Sequence, residues 1–179
     1  MALARFSSAA LLLLLVAACR PTASAPDGPA DAVNVFFSNY DGNFRSADRS
    51  LLSADLAADI GAAVNGERES AAAVAASEFP TDKPSILEGE IFSGLYEGFT
   101  GFSAAPARIE GDRATVPVTF TNAHYNVGWS DEVLLVDENG WKIDDVLYTG
   151  KKSGLLGLRE ILGNFQEAVK AEKAALAKP

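Results

Sequence analysis

The stretch Glu132-Val-Leu-Leu-Val-Asp-Glu-Asn-Gly-Trp-Lys-Ile-Asp-Asp-Val-Leu-Tyr148 decides the fold class. Glu132 to Val136 is a short apolar run, and Asp137 to Gly140 ends in the Asn-Gly pair that favours left-handed turn backbone. Trp141 to Tyr148 then resumes with apolar and charged residues interleaved, so the whole reads as two antiparallel strands and their turn. A four-residue loop would set Leu134, Val136, Trp141 and Ile143 on one face; a bulged register is the alternative. Upstream, Ala114, Val116, Val118 and Phe120 alternate with Arg113, Thr115, Pro117 and Thr119, a strand with one apolar and one polar face. Pro117 has no N–H for a ladder, so this strand is expected at an edge or with a bulge there.

Before the sheet the period is helical. Val33, Phe36, Phe37, Tyr40 and Phe44 recur at i, i+3, i+4, i+7 and i+11 behind Asp31, an N-cap residue type. A second helix is expected from Ser53, with Leu56, Ile60 and Val64 on one side, ending at Asn65-Gly66. A third, alanine-rich, runs from Glu67 to Ser77 before Pro80 and Pro84. After the sheet, Ser153 can cap a closing helix whose buried side is Leu155, Leu158, Leu162, Phe165 and Val169. The expected class is therefore α+β: N-terminal helices packed against an antiparallel sheet, with a C-terminal helix.

The first nineteen residues place Arg5 before an apolar run that ends in Val16-Ala17-Ala18-Cys19. The run is too short for a bilayer, which needs ~20 apolar residues, and has the layout of a processed export signal. Val16-Ala17-Ala18-Cys19 resembles the lipobox of bacterial lipoproteins, which implies cleavage before Cys19 and diacylation of its sulfur. The competing reading is an ordinary secretory signal cut after Ala23-Ser24-Ala25. Cys19 is the single cysteine of the chain, and lipidation gives that lone thiol a role. By the same resemblance Arg20, a residue other than Asp at the next position, implies sorting in a Gram-negative host to the outer membrane, facing the periplasm. The expected organisation is a signal peptide over 1–18, a Pro/Ala/Ser-rich tether over 19–30 and one domain over 31–179.

The formal net charge is −9, and loss of the signal removes one basic residue and no acidic one. Such a surface repels phosphate backbones and anionic headgroups, so nucleic acid is not an expected partner and membrane contact is left to the lipid. An acidic surface favours a basic protein partner, chiefly through association rate.

The aromatic first helix, Leu51-Leu52-Ser53 with Asp55-Leu56, Asp82-Lys83-Pro84 leading into Leu95 to Phe99, the Val116 to Phe120 strand, Glu138 to Val146 and Gly154-Leu155-Leu156 with Leu158-Arg159-Glu160 together carry a second resemblance. The domain resembles the nuclear-transport-factor-2-like (cystatin-like) fold, and within it a bacterial lipoprotein family of uncharacterised function. That implies a cone, in which helices pack on a strongly curved antiparallel sheet around a pocket. The fold hosts enzymes and binding modules alike and does not assign a function.

The candidate pocket residues are Phe36, Tyr40, Tyr96, Phe99, Tyr125 and Trp141. Between the helices and the sheet, Phe92, Leu95, Tyr96, Phe99 and Phe102 alternate with Gly89, Gly94, Gly98 and Gly101, and so many glycines argue for an irregular or mobile segment. Either it is a lid over an apolar cavity, with Tyr96 and Tyr125 offering hydroxyls to a ligand, or its aromatics fill the cone as core. Core filling is the favoured reading, since aromatic rings are large apolar contributors. His124, the single histidine, would be catalytic only with a carboxylate such as Asp131 or Asp145 to orient it. Carboxylate neighbours such as Asp144-Asp145 point to opposite faces of a strand, so solvated charge is their expected role and no metal or cofactor site is expected.

Three functions are thus open: a non-catalytic lipid-anchored module that binds a protein, an envelope subunit or a toxin it neutralises; a carrier of a small apolar ligand; and an enzyme using His124. Replacing Cys19→Ser should leave the domain folded while releasing it from the membrane fraction or stalling its processing. Fully processed, membrane-bound Cys19→Ser protein would exclude lipid attachment at this residue.

Overall fold

The computed structural model describes residues 26–150 and 157–177. Cys19, the signal and most of the tether, together with Ser153, Leu155 and the rest of 151–156, lie outside the described residues. The elements are helix α1 (Pro29–Asn39), a 3-10 turn (Arg49–Leu51), helix α2 (Ala54–Ala75), strands β1 (Gly101–Ala104), β2 (Arg108–Glu110), β3 (Arg113–Asn122), β4 (Val127–Asp137) and β5 (Trp141–Leu147), and helix α3 (Leu158–Leu176). The sheet is antiparallel, ordered β1-β3-β4-β5 with β2 beside β1 on the same edge of β3, and it does not close into a barrel. The class is α+β with a C-terminal helix.

Helix α1 starts three residues earlier than an N-cap at Asp31 would give, because Gly28 is the N-cap and Pro29 takes the first helical position, where its missing N–H costs nothing. Asp31 lies in the first turn rather than at the cap. The helix also stops before Phe44. Asp41 accepts from the Asn43 N–H (3.0 Å) and from Ser46 Oγ (3.0 Å), offering the backbone a turn in place of another helical residue, and Phe44 is buried from that turn.

The expected second and third helices are one. α2 runs through Asn65-Gly66 because α3 covers it there: a Cβ added to Gly66 would lie 3.5 Å from Phe165, so the residue sits in the α2–α3 contact. That packing outweighs the ~1 kcal/mol penalty of a mid-helix glycine. At the start of α2, Ser53 Oγ accepts from the Leu56 N–H (3.1 Å), while its backbone N–H donates to Ile143 O (2.8 Å).

β3 is central, not an edge strand. The Pro117 carbonyl accepts from Ala105 (2.8 Å), so the ring nitrogen faces the same side, which is the break between β1 and β2 where no ladder bond is required. Its apolar face, Ala114, Val116, Val118 and Phe120, is buried as its alternation indicates.

In the hairpin the loop is three residues, with Asp137 opposite Trp141, and Asn139 and Gly140 at φ 58° and 122°. The core-facing residues of β4 are Trp129, Asp131, Val133 and Leu135, so Leu134 and Val136 point to the other face, contrary to the four-residue loop. The register is bulged: Leu134 pairs with Asp145 and Leu135 with Ile143, leaving Asp144 over. Asp144 and Asp145 are not solvated charge. Asp144 accepts from Ser53 Oγ (2.7 Å) and Arg159 (2.9 Å), and Asp145 accepts from the Arg159 backbone N–H at the start of α3 (3.1 Å).

One hydrophobic core joins α1 (Val33, Phe36), α2 (Leu56, Ile60), α3 (Leu158, Leu162) and the inner face of the sheet. Phe120→Ala should cost about 3–5 kcal/mol in chemical denaturation. Trp141→Ala, at the half-buried end of β5, should cost clearly less; equal losses would mean that the indole is a core residue.

Candidate functional site

The interior of the domain is filled by rings. Phe36 meets Phe92 at 4.7 Å between centroids, Phe37 meets Phe120 at 5.2 Å, Phe99 meets Phe120 at 5.0 Å, and Tyr40 stacks on Phe36 at 5.4 Å. Three of the six expected pocket residues, Phe36, Tyr40 and Phe99, are therefore packed in this cluster. The other three do not converge on it. Tyr125 is 60% exposed in the β3–β4 turn, Trp141 sits at the opposite end of β4, and Tyr96 is 60% exposed on the outside of the glycine-rich segment.

His124 lies exposed in the β3–β4 turn, which Asn122 Oδ1 organises by accepting the backbone N–H groups of His124 (3.0 Å) and Tyr125 (3.3 Å). Asp131 is fully buried and accepts from Trp129 Nε1 (2.9 Å), Gly94 N (2.7 Å) and Gly150 N (3.4 Å). Burial pushes the Asp131 carboxyl up from its ordinary range, and these hydrogen bonds act in the other direction; the same balance holds at Asp145, which is occupied in capping α3. The histidine and the two carboxylates that sequence reasoning paired are thus not brought together as a dyad.

What the structure assembles instead is a strap, residues 85–100, with no helix or strand of its own. Its start is pinned by Glu67, whose carboxylate accepts the Leu87 N–H (2.9 Å) and holds Arg45, which donates to Leu87 O (3.0 Å). Its middle closes on itself through Glu90 N to Tyr96 O (2.9 Å), and Tyr148 Oη donates to Ile91 O. Its end is held by Asn122 Nδ2 on Gly98 O (2.8 Å).

Glu90, which the sequence did not single out, is the centre of this strap. It is 9% exposed, its carboxylate accepts the Phe92 N–H, and burial pushes its pKa up to about 7. Gly42 and Gly98, at φ 83° and 77°, bring backbone up to it; a Cβ on either would lie within 4.0 Å of Glu90 Oε2. Gly89, at φ 79°, lies under the Tyr96 ring, where a Cβ would come to 2.4 Å. The phenols of Tyr40 and Tyr148 are both raised by burial, with the Glu90 charge adding to it. Ser93 Oγ is enclosed without a hydrogen-bond partner among the described residues.

Two clefts open on either side of Glu90, Tyr96 and Glu97, which line both. One is mainly apolar, about 350 Å³, walled by Leu87, Ile91, Leu95, Tyr148 and Ile161 with Ser93. The other, about 620 Å³, is polar, with Asp41, Asn43 and Arg45 in its wall. Among the described residues no group of three histidine, cysteine or carboxylate side chains is placed to hold a metal, and no helix is long and apolar enough to cross a membrane. Comparisons with protein families, curated proteins and solved structures find no match for this chain.

Because folded Glu90 holds its proton to higher pH than the unfolded chain does, its contribution to stability falls as pH rises from about 4.5 to about 7 and is flat above. Across that window the stability of wild type relative to Glu90→Gln should drop by roughly 3 kcal/mol. Urea denaturation at a series of pH values checks this. A difference independent of pH would show that Glu90 ionises as freely in the folded protein as in the unfolded chain.

Proposed function

We propose that this chain is an exported, lipid-anchored, non-catalytic binding domain of the nuclear-transport-factor-2-like kind, held at the periplasmic side of the outer membrane by Cys19, and that its strap docks a basic protein partner. The observation that carries the docking reading is the division of the domain into a filled interior and an acidic, recessed face. Rings occupy the space where a cone would hold a chamber, while Asp41, Glu90 and Glu97 line the clefts, Glu88 being paired with Lys83, and among the described residues the one cation in their walls, Arg45, is already paired with Glu67. Tyr96 stands exposed between the two clefts, the residue type that anchors protein interfaces. A partner of opposite charge would be steered to this face, which itself repels nucleic acid and anionic lipid. An envelope subunit or an exported toxin that the domain neutralises fits this chemistry. The apolar cleft favours a second reading, a carrier of a small apolar ligand, though at about 350 Å³ it is at the low end of the ~300–1,000 Å³ range of small-molecule sites.

In-cell crosslinking and pull-down of the lipidated protein tests the docking reading. Wild type should capture a stoichiometric basic protein, and the exposed-site double variant Glu88→Lys, Glu97→Lys should lose it without loss of fold. Capture that survives charge reversal, or extraction of a small molecule with no protein, would overturn it.

A further inference from the structure

The apolar cleft carries a chemical preference that its shape alone does not. Its walls are Leu87, Ile91 and Leu95 on the strap, Tyr148 after β5 and Ile161 on α3. The ionisable side chains on it are Glu88, Glu90, Glu97 and two tyrosines; among the described residues no lysine, arginine or histidine lines it. Glu88 is neutralised by Lys83 at 2.8 Å, which leaves Glu90 and Glu97 as the carboxylates without a cation among the described residues. An anionic ligand such as a fatty acid or a phosphate would meet those carboxylates with no compensating donor of positive charge, and its desolvation would go unrepaid.

A second and independent observation lies deeper. Ser93 is 2% exposed, lines the cleft, and its Oγ has no partner among the described residues. A buried hydroxyl without a hydrogen bond is costly, so a group that supplies a donor there recovers that loss. The complementary ligand has an apolar stem for Leu87, Ile91 and Leu95, a hydrogen-bond donor for Ser93 and a positive charge for the two carboxylates.

We propose that this cleft receives an alkylammonium group, its stem along the strap leucines and isoleucine and its N–H groups donating to Ser93 Oγ beside Glu90 and Glu97. The same chemistry has two sources, the lysine side chain of a docked partner and a free alkylamine. Lysine suits it because its four-carbon stem buries readily while its compact ammonium keeps three donors. Assignment to a partner's lysine rests on the docking reading above; the preference of the cleft for an alkyl cation does not.

The test is an NMR titration of the folded domain with n-pentylammonium, 1-pentanol and pentanoate, read at the backbone amides of Ser93, Gly94 and Tyr96. Pentylammonium should shift these amides and saturate, with pentanol clearly weaker and pentanoate without effect. Ser93→Ala should weaken pentylammonium about tenfold, as loss of a hydrogen bond to a charged group does. Glu97→Gln, at an exposed position, should weaken it while leaving pentanol unchanged. Equal binding of all three probes, absence of binding, or a Ser93→Ala variant that binds as wild type would each overturn the proposal. Nα-acetyl-lysine methylamide then separates the sources. If it saturates the same amides and competes with the crosslinked partner, the ammonium comes from that partner's lysine. If pentylammonium binds yet partner capture is undisturbed, the source is a free amine. If capture persists while pentylammonium fails to bind, the cleft proposal fails and the docking reading stands.

Discussion

The one extra residue in β5 governs how the helices meet the sheet. By bulging between Leu134 and Leu135 of its neighbour, β5 turns two consecutive aspartates to places where an unbulged strand would put one inward and one outward. Asp144 reaches Ser53, the N-cap of α2, and the Arg159 guanidinium, while Asp145 accepts the Arg159 N–H in the first turn of α3. Both helix starts, with their partial positive charge and unpaired donors, are thereby fixed to one strand. Gly157 completes the junction: a Cβ there would stand 2.8 Å from Val146 O, so only glycine lets the entry to α3 lie against β5.

From that junction the strap inherits its position. Tyr148 follows directly after β5 and holds Ile91, and Asp131, one strand away, ties Gly94 of the strap to Gly150. A fully buried carboxylate is costly unless its lone pairs are used, and Asp131 uses them on its strand neighbour Trp129 and on two segments distant in sequence, at Gly94 and Gly150. Leu87, Gly94 and Gly98 are held by Glu67, Asp131 and Asn122, side chains outside the strap, in place of a ladder or helix of its own. A segment organised in this way can take an arbitrary path, which is how a surface acquires recesses that regular elements do not provide.

Much of the architecture was legible because period and turn chemistry are local. The Asn139-Gly140 turn, the Ala114 to Phe120 alternation and the Leu158, Leu162, Phe165, Val169 stripe each carry their own signal. What was misread depended on partners distant in sequence. Gly66 looks like a helix stop until Phe165 is placed against it, and Pro117 looks like an edge residue until β1 and β2 are seen to leave a gap beside it. The inward face of β4 could not be read from a hairpin whose bulge lies four residues from its turn. The site was less legible still. The glycine-aromatic segment was recognisable as irregular and as a source of core rings, yet nothing local distinguishes buried Glu90 from exposed Glu88 or Glu97. Ser93 gave no signal, because an orphan hydroxyl exists only once the surrounding chain has excluded its other partners.

A filled core and a recessed surface follow from the same residues. Phe92 and Phe99 turn inward from the strap to close the ring cluster, and in doing so they withdraw apolar bulk from the outer side, where Ser93, Glu90 and the glycines remain. Small residues next to large inward ones leave clefts, and glycines at positive φ keep those clefts from being filled by their own side chains. The polar groups left in them are not balanced among the described residues: carboxylates outnumber cations, and the Ser93 hydroxyl has no partner. A sequence that only had to fold would gain stability by satisfying these groups or replacing them with apolar ones of similar size. Left at this irregular, recessed face, they are a cost to stability that binding of a complementary cation would offset.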